Sequence, residues 1–358
     1  MKLRLVAVLL IPLLAPAQVA KFRVRESAGL RRFNFPVRTT IRASDTSLAL
    51  FENDKQIPAQ FTAKAAGSVE IDFNASPGPW ESANYRVEKA TAAANTPNPF
   101  AITQANGAFT VKIGAQQYVV PENLTGLFSQ ANGGTRTYLR PGGIGLMINS
   151  RDGAESHIRD AKGTVTKRGP LVGALRFESA AWKSVVEMEF PRSKSWVEVR
   201  WTVDDPLHVD TAMTVDMNLL IEGAQAVVDF GANDTVYGAL KGEQRFTLSA
   251  GGAQPGEPQW LVLLNEAVYA SGIKTIAEGW THVMDKERAT AVAVESFGNP
   301  WNDHIQVSAN GNLEIRRSLT TRNPRTLHFW LHFVAMPVQI GAATSPQAIL
   351  SPLVVEQQ

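Results

Sequence analysis

The stretch Ser184 to Pro206, SVVEMEFPRSKSWVEVRWTVDDP, alternates residue by residue on either side of a turn at Pro191, Arg192, Ser193 and Lys194. A period of two belongs to β-strands, and two such runs around a turn predict a long β-hairpin. In the second run Val197, Val199, Trp201 and Val203 fall on one face, and Trp196, Glu198, Arg200 and Thr202 on the other. The first face is dry and forms one wall of a sandwich core. The second carries an indole, a carboxylate and a guanidinium in a row, which suits either a solvated sheet surface or a polar ligand.

The rest of the chain follows the same pattern. Candidate strands Phe22–Arg25, Phe35–Ile41, Leu48–Phe51, Ala59–Ala63, Val69–Phe73 and Tyr85–Glu88 are separated by turn residues such as Asn53-Asp54 and Ser76-Pro77-Gly78-Pro79. Six short strands in about seventy residues describe a small immunoglobulin-like β-sandwich over 18–90. The run TAAANTPNP at 91–99 reads as a linker. From 100 to 358, more than ten further strands are too many for a small sandwich and predict a large two-sheet domain. Sustained helical periodicity is missing. The one exception is a turn or two opened by Ser345 and Pro346 and running through Leu350.

Residues 1–17 have the form of a signal peptide: Lys2 and Arg4, an apolar run from Leu5 to Leu14, then Ala15-Pro16-Ala17. Export to a secreted or periplasmic location of a bacterial type is therefore expected, with cleavage near Ala17 and no membrane span afterwards. The chain contains no cysteine, which rules out disulfides, thiol nucleophiles and thiolate metal sites. Its formal charge of +2 comes from the leader, so the mature chain is near neutral and offers no electrostatic case for nucleic acid. With 44% apolar and 19% charged residues it has enough material for a substantial core. It carries no P-loop and no glycine fingerprint, so no cofactor is implied.

Several stretches together resemble the exo-rhamnogalacturonan lyase-like family. They are Arg168-Gly169-Pro170-Leu171-Val172-Gly173-Ala174-Leu175-Arg176, the hairpin after it, Ala291-Val292-Ala293-Val294-Glu295-Ser296-Phe297, and Ile305–Ile315 with its Asn310-Gly311 turn. In the first block, Gln56-Ile57-Pro58-Ala59-Gln60-Phe61 and Ser68-Val69-Glu70-Ile71-Asp72-Phe73 resemble that family's leading β-domain. The resemblance implies an all-β chain: an immunoglobulin-like module followed by a β-supersandwich of galactose mutarotase-like type. In that family a helical toroid with the lyase chemistry comes next. The resemblance thus implies the non-catalytic part standing alone, with a separate catalytic or envelope protein as a possible partner. The last strand also departs, reading Arg325-Thr326-Leu327-His328-Phe329 where the family carries a Lys-Thr-His-Glu-like run.

Candidate chemistry gathers around tryptophan and histidine. In the last long strand Thr326, His328, Trp330, His332 and Val334 share one face. Either both faces are buried with the histidines bonded inside, or an indole stacks on a pyranose while imidazoles bond its hydroxyls. A single metal held by both His328 and His332 is excluded, because four residues of strand separate them by ~13 Å whereas zinc requires ~2 Å to each nitrogen. No metal site is expected. Trp280 and His282 repeat the Trp–X–His pattern, and Trp301 with His304 follows Phe297. Glu295 shares a face with Ala291 and Ala293. It is either a surface charge or a general base whose pKa burial raises. Glu198 and Arg200 form either a surface pair or a guanidinium fork for a uronate.

These residues give a ligand-binding set of Trp196, Arg200, Trp280, Trp301, His304, His328 and Trp330, and a catalytic set of His282, Glu295 and His332. The leading expectation is a carbohydrate-associated protein that binds, or supports processing of, a polysaccharide or oligosaccharide, acidic and pectin-type among the candidates. An enzyme on the supersandwich (a lyase or a mutarotase-like epimerase) and a structural envelope or assembly protein are the alternatives. Whether the chain is an enzyme stays open at this point.

Overall fold

The computed structural model describes residues 18–90, 100–150, 153–204, 211–222, 226–232, 235–252, 254, 256–298, 303–319, 325–336 and 345–358. The leader at 1–17, the linker at 91–99 and Trp301 lie outside the described residues. Among the described residues the strands assemble into five sheets.

Two of these form the small sandwich. A five-stranded sheet runs in the order Val354–Gln357, Gln18–Arg25, Ser82–Lys89, Leu48–Glu52 and Lys55–Ile57, and a three-stranded one in the order Phe35–Arg42, Ser68–Ala75 and Ala59–Lys64. All six strands expected in this block are present, each extended by a few residues. Between the sheets, alternate residues such as Phe22, Leu50, Ile71, Phe73, Tyr85 and Val87 build a shared core.

The large domain pairs a nine-stranded sheet with an eight-stranded one. The nine run in the order Lys162–Arg168, Val172–Ser179, Ser184–Pro191, Trp196–Val203, Arg325–Ala335, Arg288–Val294, Trp280–Met284, Ala226–Phe230 and Val236–Leu240. The eight run from Glu155–His157 through Gly145–Asn149, Thr211–Asn218, Asn312–Leu319, His304–Ser308, Arg245–Ala250 and Trp260–Leu264 to Ala267–Gly272. Neighbouring strands are antiparallel throughout. The hairpin pairs Ser184 with Val203 and Glu189 with Glu198, and its dry face is as expected: Val197, Val199, Trp201 and Val203 are fully buried. They meet Leu327, Phe329 and Leu331 from the next strand and Met213, Val215 and Ile315 from the facing sheet in one continuous core. A further five-stranded sheet, Ala101–Ala105 to Arg136–Thr137, adds Phe109, Val111 and Tyr118 to this core. The architecture is an all-β small sandwich followed by a β-supersandwich.

The expected division placed everything after residue 100 in the large domain, but the end of the chain departs from it. After helix Ser345–Leu350, which forms where Ser345 and Pro346 signalled it, strand Val354–Gln357 pairs antiparallel with Gln18–Arg25. An open sheet edge has unpaired N–H and C=O groups, and the terminal strand satisfies them. Ile349 and Leu353 join the small sandwich's core. A four-residue strand whose partner lies more than three hundred residues away leaves no local signal.

Arg32 secures this return. It is fully buried, donates to the carbonyls of Ala348 at 2.6 Å and Ser351 at 2.5 Å, and pairs with Glu26 at 3.0 Å. Burial alone would raise the Glu26 pKa. Backbone N–H groups of Trp80 and Ala28, together with Arg32, instead hold it down at about 2. Removing one member of a buried pair strands the other's charge. Arg32→Ala should therefore cost about 3–5 kcal/mol of unfolding free energy, measured by urea titration. A loss within experimental error would show that the return segment does not depend on this pair.

Candidate functional site

Residues opposite one another in the register share a face, so the outer face of the nine-stranded sheet can be read row by row. One row runs Trp196, His332, Ala291, His282 and Asp229; the next runs Glu189, Glu198, Trp330, Ala293 and Trp280; a third brings Glu187, Arg200 and His328 together. Glu295 joins the third row through a hydrogen bond to His328. Eight of the ten expected site residues therefore lie on one face. Ala289, Ala291 and Ala293 run down its middle as a trough between larger side chains.

The small sandwich and helix Ser345–Leu350 sit on this face. Phe35 packs against Trp196 with ring centroids 5.6 Å apart, and Trp196, Trp280 and Ala293 belong to the small sandwich's hydrophobic cluster. Beside them is a lattice of charges. The buried Lys167 ammonium reaches Glu70 at 2.5 Å, Asp72 at 3.2 Å and Glu189 at 3.4 Å. Arg38 bonds Asp72 at 2.7 Å and also bonds Glu189. Gln60 accepts the N–H groups of Leu171 and Val172 at 3.1 and 2.9 Å. Its carboxamide occupies the space where a side chain at Gly169 would begin, which explains the glycine of the Gly169-Pro170 element.

The cover is incomplete, and two of the cavities it leaves among the described residues contain the tryptophans of this face. The first, of 260 Å³, lies in the cleft between the sandwiches, with Trp196 and the half-buried Trp330 on its sheet side and Arg38, Asp72, Glu189 and Glu198 around it. The second, of 220 Å³, lies beyond the helix around Asp229, Trp280 and His282.

Three histidines on this one face have three different fates. His328 bonds Glu295 through Nδ1 and Glu198 through Nε2, both at 2.9 Å. Ionised carboxylates only accept, so both ring nitrogens must donate and the ring is an imidazolium. Burial pulls its pKa down, but the two carboxylates outweigh burial and hold it above the ordinary value. His328 in turn pulls both acids below the ordinary glutamate value, against the opposing effect of burial. Of the two readings of Glu295, the structure fits the surface charge: the residue is exposed and its pKa is lowered by the His328 hydrogen bond, where the general-base reading needed it raised by burial.

His332 bonds Ser345 Oγ through Nδ1 at 2.7 Å and Ser195 Oγ through Nε2 at 2.8 Å. Burial, with Lys194 and His282 nearby, lowers its pKa to about 3, so the ring is neutral. Both nitrogens are engaged by the protein, so His332 pins the helix to the hairpin turn. That placement corrects its expected catalytic role. His282 directs Nδ1 to Asp229 Oδ1 at 2.8 Å, and the same oxygen accepts the His282 backbone N–H at 3.0 Å.

Arg200 is exposed at the open end of the third row, outside both cavities, and its charge acts on Glu198 and Glu295. His304 lies on the eight-stranded sheet, where Nε2 bonds Glu314 at 2.8 Å, and is not brought to this face. The structure adds Arg38, Asp72, Lys167, Glu189 and Asp229. Glu189 was legible from the hairpin's alternation, and Asp229 from its place as the single acid in the strand AVVDF. The other three depend on how the two sandwiches dock.

No family model matches this chain, and no curated relative matches it. Among solved structures it is similar to an alpha-mannosidase from Enterococcus faecalis V583, at 7% identity and a TM-score of 0.56, covering 95% of this chain and 46% of that one. It is also similar to a protein in the Glycosyl Hydrolase Family 38 from Enterococcus faecalis, at 8% identity and a TM-score of 0.55, covering 95% of this chain and 47% of that one. A galactose mutarotase-like protein from Lactobacillus casei ATCC 334 overlaps at 8% identity and a TM-score of 0.38, over 64% of this chain and 100% of that one. The chain thus spans about half the length of the first two, and the likeness to them is one of fold.

The His332 pKa has a consequence for stability. The unfolded chain protonates this histidine near 6.5 and the folded one only near 3, so its contribution is intact above pH 6.5 and is lost as pH falls towards 3. Between about pH 6 and 4, wild type should lose roughly 1.4 kcal/mol more per pH unit than His332→Asn, followed by urea unfolding. Parallel pH profiles would contradict the assignment.

Proposed function

We propose that this is a carbohydrate-binding protein whose ligand lies in the cleft between the two sandwiches. The observation that carries this reading is the half-buried Trp330 indole, placed beside Glu198 on the sheet side of a 260 Å³ cavity. An indole face covers the apolar side of a pyranose, and a fixed carboxylate accepts its hydroxyls. Glu198 is already oriented by His328, and the His328 ring lies tilted against Trp330 with ring centroids 4.1 Å apart. The site is therefore preorganised, which reduces the entropic cost of binding. The fold shared with a Glycosyl Hydrolase Family 38 protein gives a carbohydrate context. The family resemblance in the sequence gives the same context, and the leader suggests an exported protein that meets its glycan outside the cytoplasm.

The charge around the cleft argues against the acidic, pectin-type ligand. Asp72, Glu189 and Glu198 face it with Arg38, and each acid is already paired: Asp72 and Glu189 with Arg38 and Lys167, and Glu198 with His328. Arg200, the residue expected to fork a uronate, lies outside the cleft. A uronate would find Arg38, the cation lining the cleft, already committed to two carboxylates, so a neutral or amino-bearing sugar is the ligand class proposed.

Calorimetric titration with neutral, amino-bearing and uronic oligosaccharides tests this reading. Binding should appear for the first two classes and be weaker for the uronates. Trp330→Ala, with its melting curve unchanged, should weaken binding by roughly tenfold or more. Absence of binding across the panel, or a preference for uronates, would overturn the proposal.

A further inference from the structure

The second cavity holds an unmet hydrogen-bonding group that the cleft does not explain. His282 is only 7% exposed, yet its Nε2 has no hydrogen-bond partner among the described residues. Leaving a buried polar atom unpaired costs about 1–3 kcal/mol, so such an atom in a side chain that lines a cavity marks a place for a ligand. The opposite nitrogen is fixed. Nδ1–H donates to Asp229 at 2.8 Å, and Asp229 is held in turn by the His282 backbone N–H. Thr281 Oγ1 donates to the Asp229 carbonyl at 2.7 Å and locks the two strands in register. Asp229 thus engages Nδ1 and leaves Nε2 as the ring nitrogen without a partner. A hydroxyl, donor and acceptor in one group, can fill that place.

The shape of the cavity limits what can bring that hydroxyl. Met284, Ala289 and Ala291 form an apolar floor, while Thr235, Tyr237 and Gln347 supply polar atoms around the mouth. The floor is low because the trough residues are alanines. The Trp280 wall is rigid: its indole N–H donates to Glu278 at 2.6 Å, and its ring occupies the space a side chain at Gly231 would need. At 220 Å³ the cavity exceeds the ~150 Å³ that accommodates benzene, which leaves room for a single six-membered ring and its substituents.

We propose that this cavity is a second ligand site, which takes one six-membered, hydroxyl-bearing ring and in which His282 Nε2 hydrogen-bonds a ligand hydroxyl. Asp229 acts through His282: it engages Nδ1 and so leaves Nε2 for the ligand, and is a positioning residue. The ring's carbon face lies on the alanine floor, and its hydroxyls point to His282 and the polar mouth. The site is separate from the cleft and does not require the cleft to bind sugar.

The test uses the full chain labelled with ¹⁵N-histidine, with the His282 ring nitrogens observed by NMR. D-mannose, D-galactose and myo-inositol are the hydroxylated probes, and benzene is the ring without hydroxyls. At least one hydroxylated probe should shift Nε2 in a saturable way, and benzene should not. Ala289→Leu, opposite Met284 and Val334 rather than His282, fills the cavity from a position not paired with the histidine or the aspartate and should abolish the response; Val334→Phe serves if the first variant does not melt like wild type. Asp229→Ala, which removes the acceptor that fixes Nδ1, should weaken the response roughly tenfold. Trp330→Ala should leave it unchanged, which separates this site from the cleft. No saturable shift with any hydroxylated probe, a response that survives the filled cavity, or binding of benzene alone would each overturn the proposal.

Discussion

A sheet nine strands wide has two faces, and both must be either solvated or covered. The eight-stranded sheet covers the inner face and creates the core. The outer face is too apolar at its centre to stand in water, with Trp196, Trp280 and the alanine trough on it. The small sandwich and the returning end of the chain close over that centre. They are fastened by the Lys167 and Arg38 charge lattice on one side and by Arg32 on the other. The candidate chemistry exists because this cover does not fit flush. Where it lifts from the sheet it leaves cavities around the helix, two of which have a tryptophan and an acid in their walls.

The histidines show how environment, rather than residue type, decides a role. Three imidazoles project from neighbouring positions of the same face. One lies between two carboxylates and is fixed as a cation. One lies between two hydroxyls and is kept neutral. One has a carboxylate on one side and a cavity on the other. Only the last leaves a ring nitrogen without a hydrogen-bond partner among the described residues. The first contributes by orienting Glu198 at the edge of the cleft, and the second by anchoring the helix that divides the two cavities.

Much of the scaffold was legible in the sequence. The alternation at 184–206 gave the hairpin, its dry face and its polar face, and the repetition of Trp–X–His at 280–282 and 330–332 anticipated that these strands share a sheet. The strands are in fact separated only by Arg288–Val294. Strands such as Gln116–Pro121 and Ala267–Gly272 leave a weaker signal because their apolar residues do not alternate cleanly. The closing strand was missed because its partner is at the other end of the chain. The site was legible as a set of residue types but not as a set of roles. Glu295 and His332 were plausible proton carriers until their partners, His328, Ser345 and Ser195, were seen to occupy them. Asp229 and Arg38 gain their meaning only from neighbours across a strand or across the domain junction.

The central claim is that the cleft, rather than a solvent-facing sheet surface, receives the sugar. A crystal structure of the protein with its best-binding neutral or amino-bearing oligosaccharide tests this most directly. The account predicts a sugar ring stacked on Trp330, with a hydroxyl bonded to Glu198 and the His328 ion pairs intact. A sugar bound elsewhere on the molecule, with the cleft between Trp330 and Arg38 left empty, would contradict it.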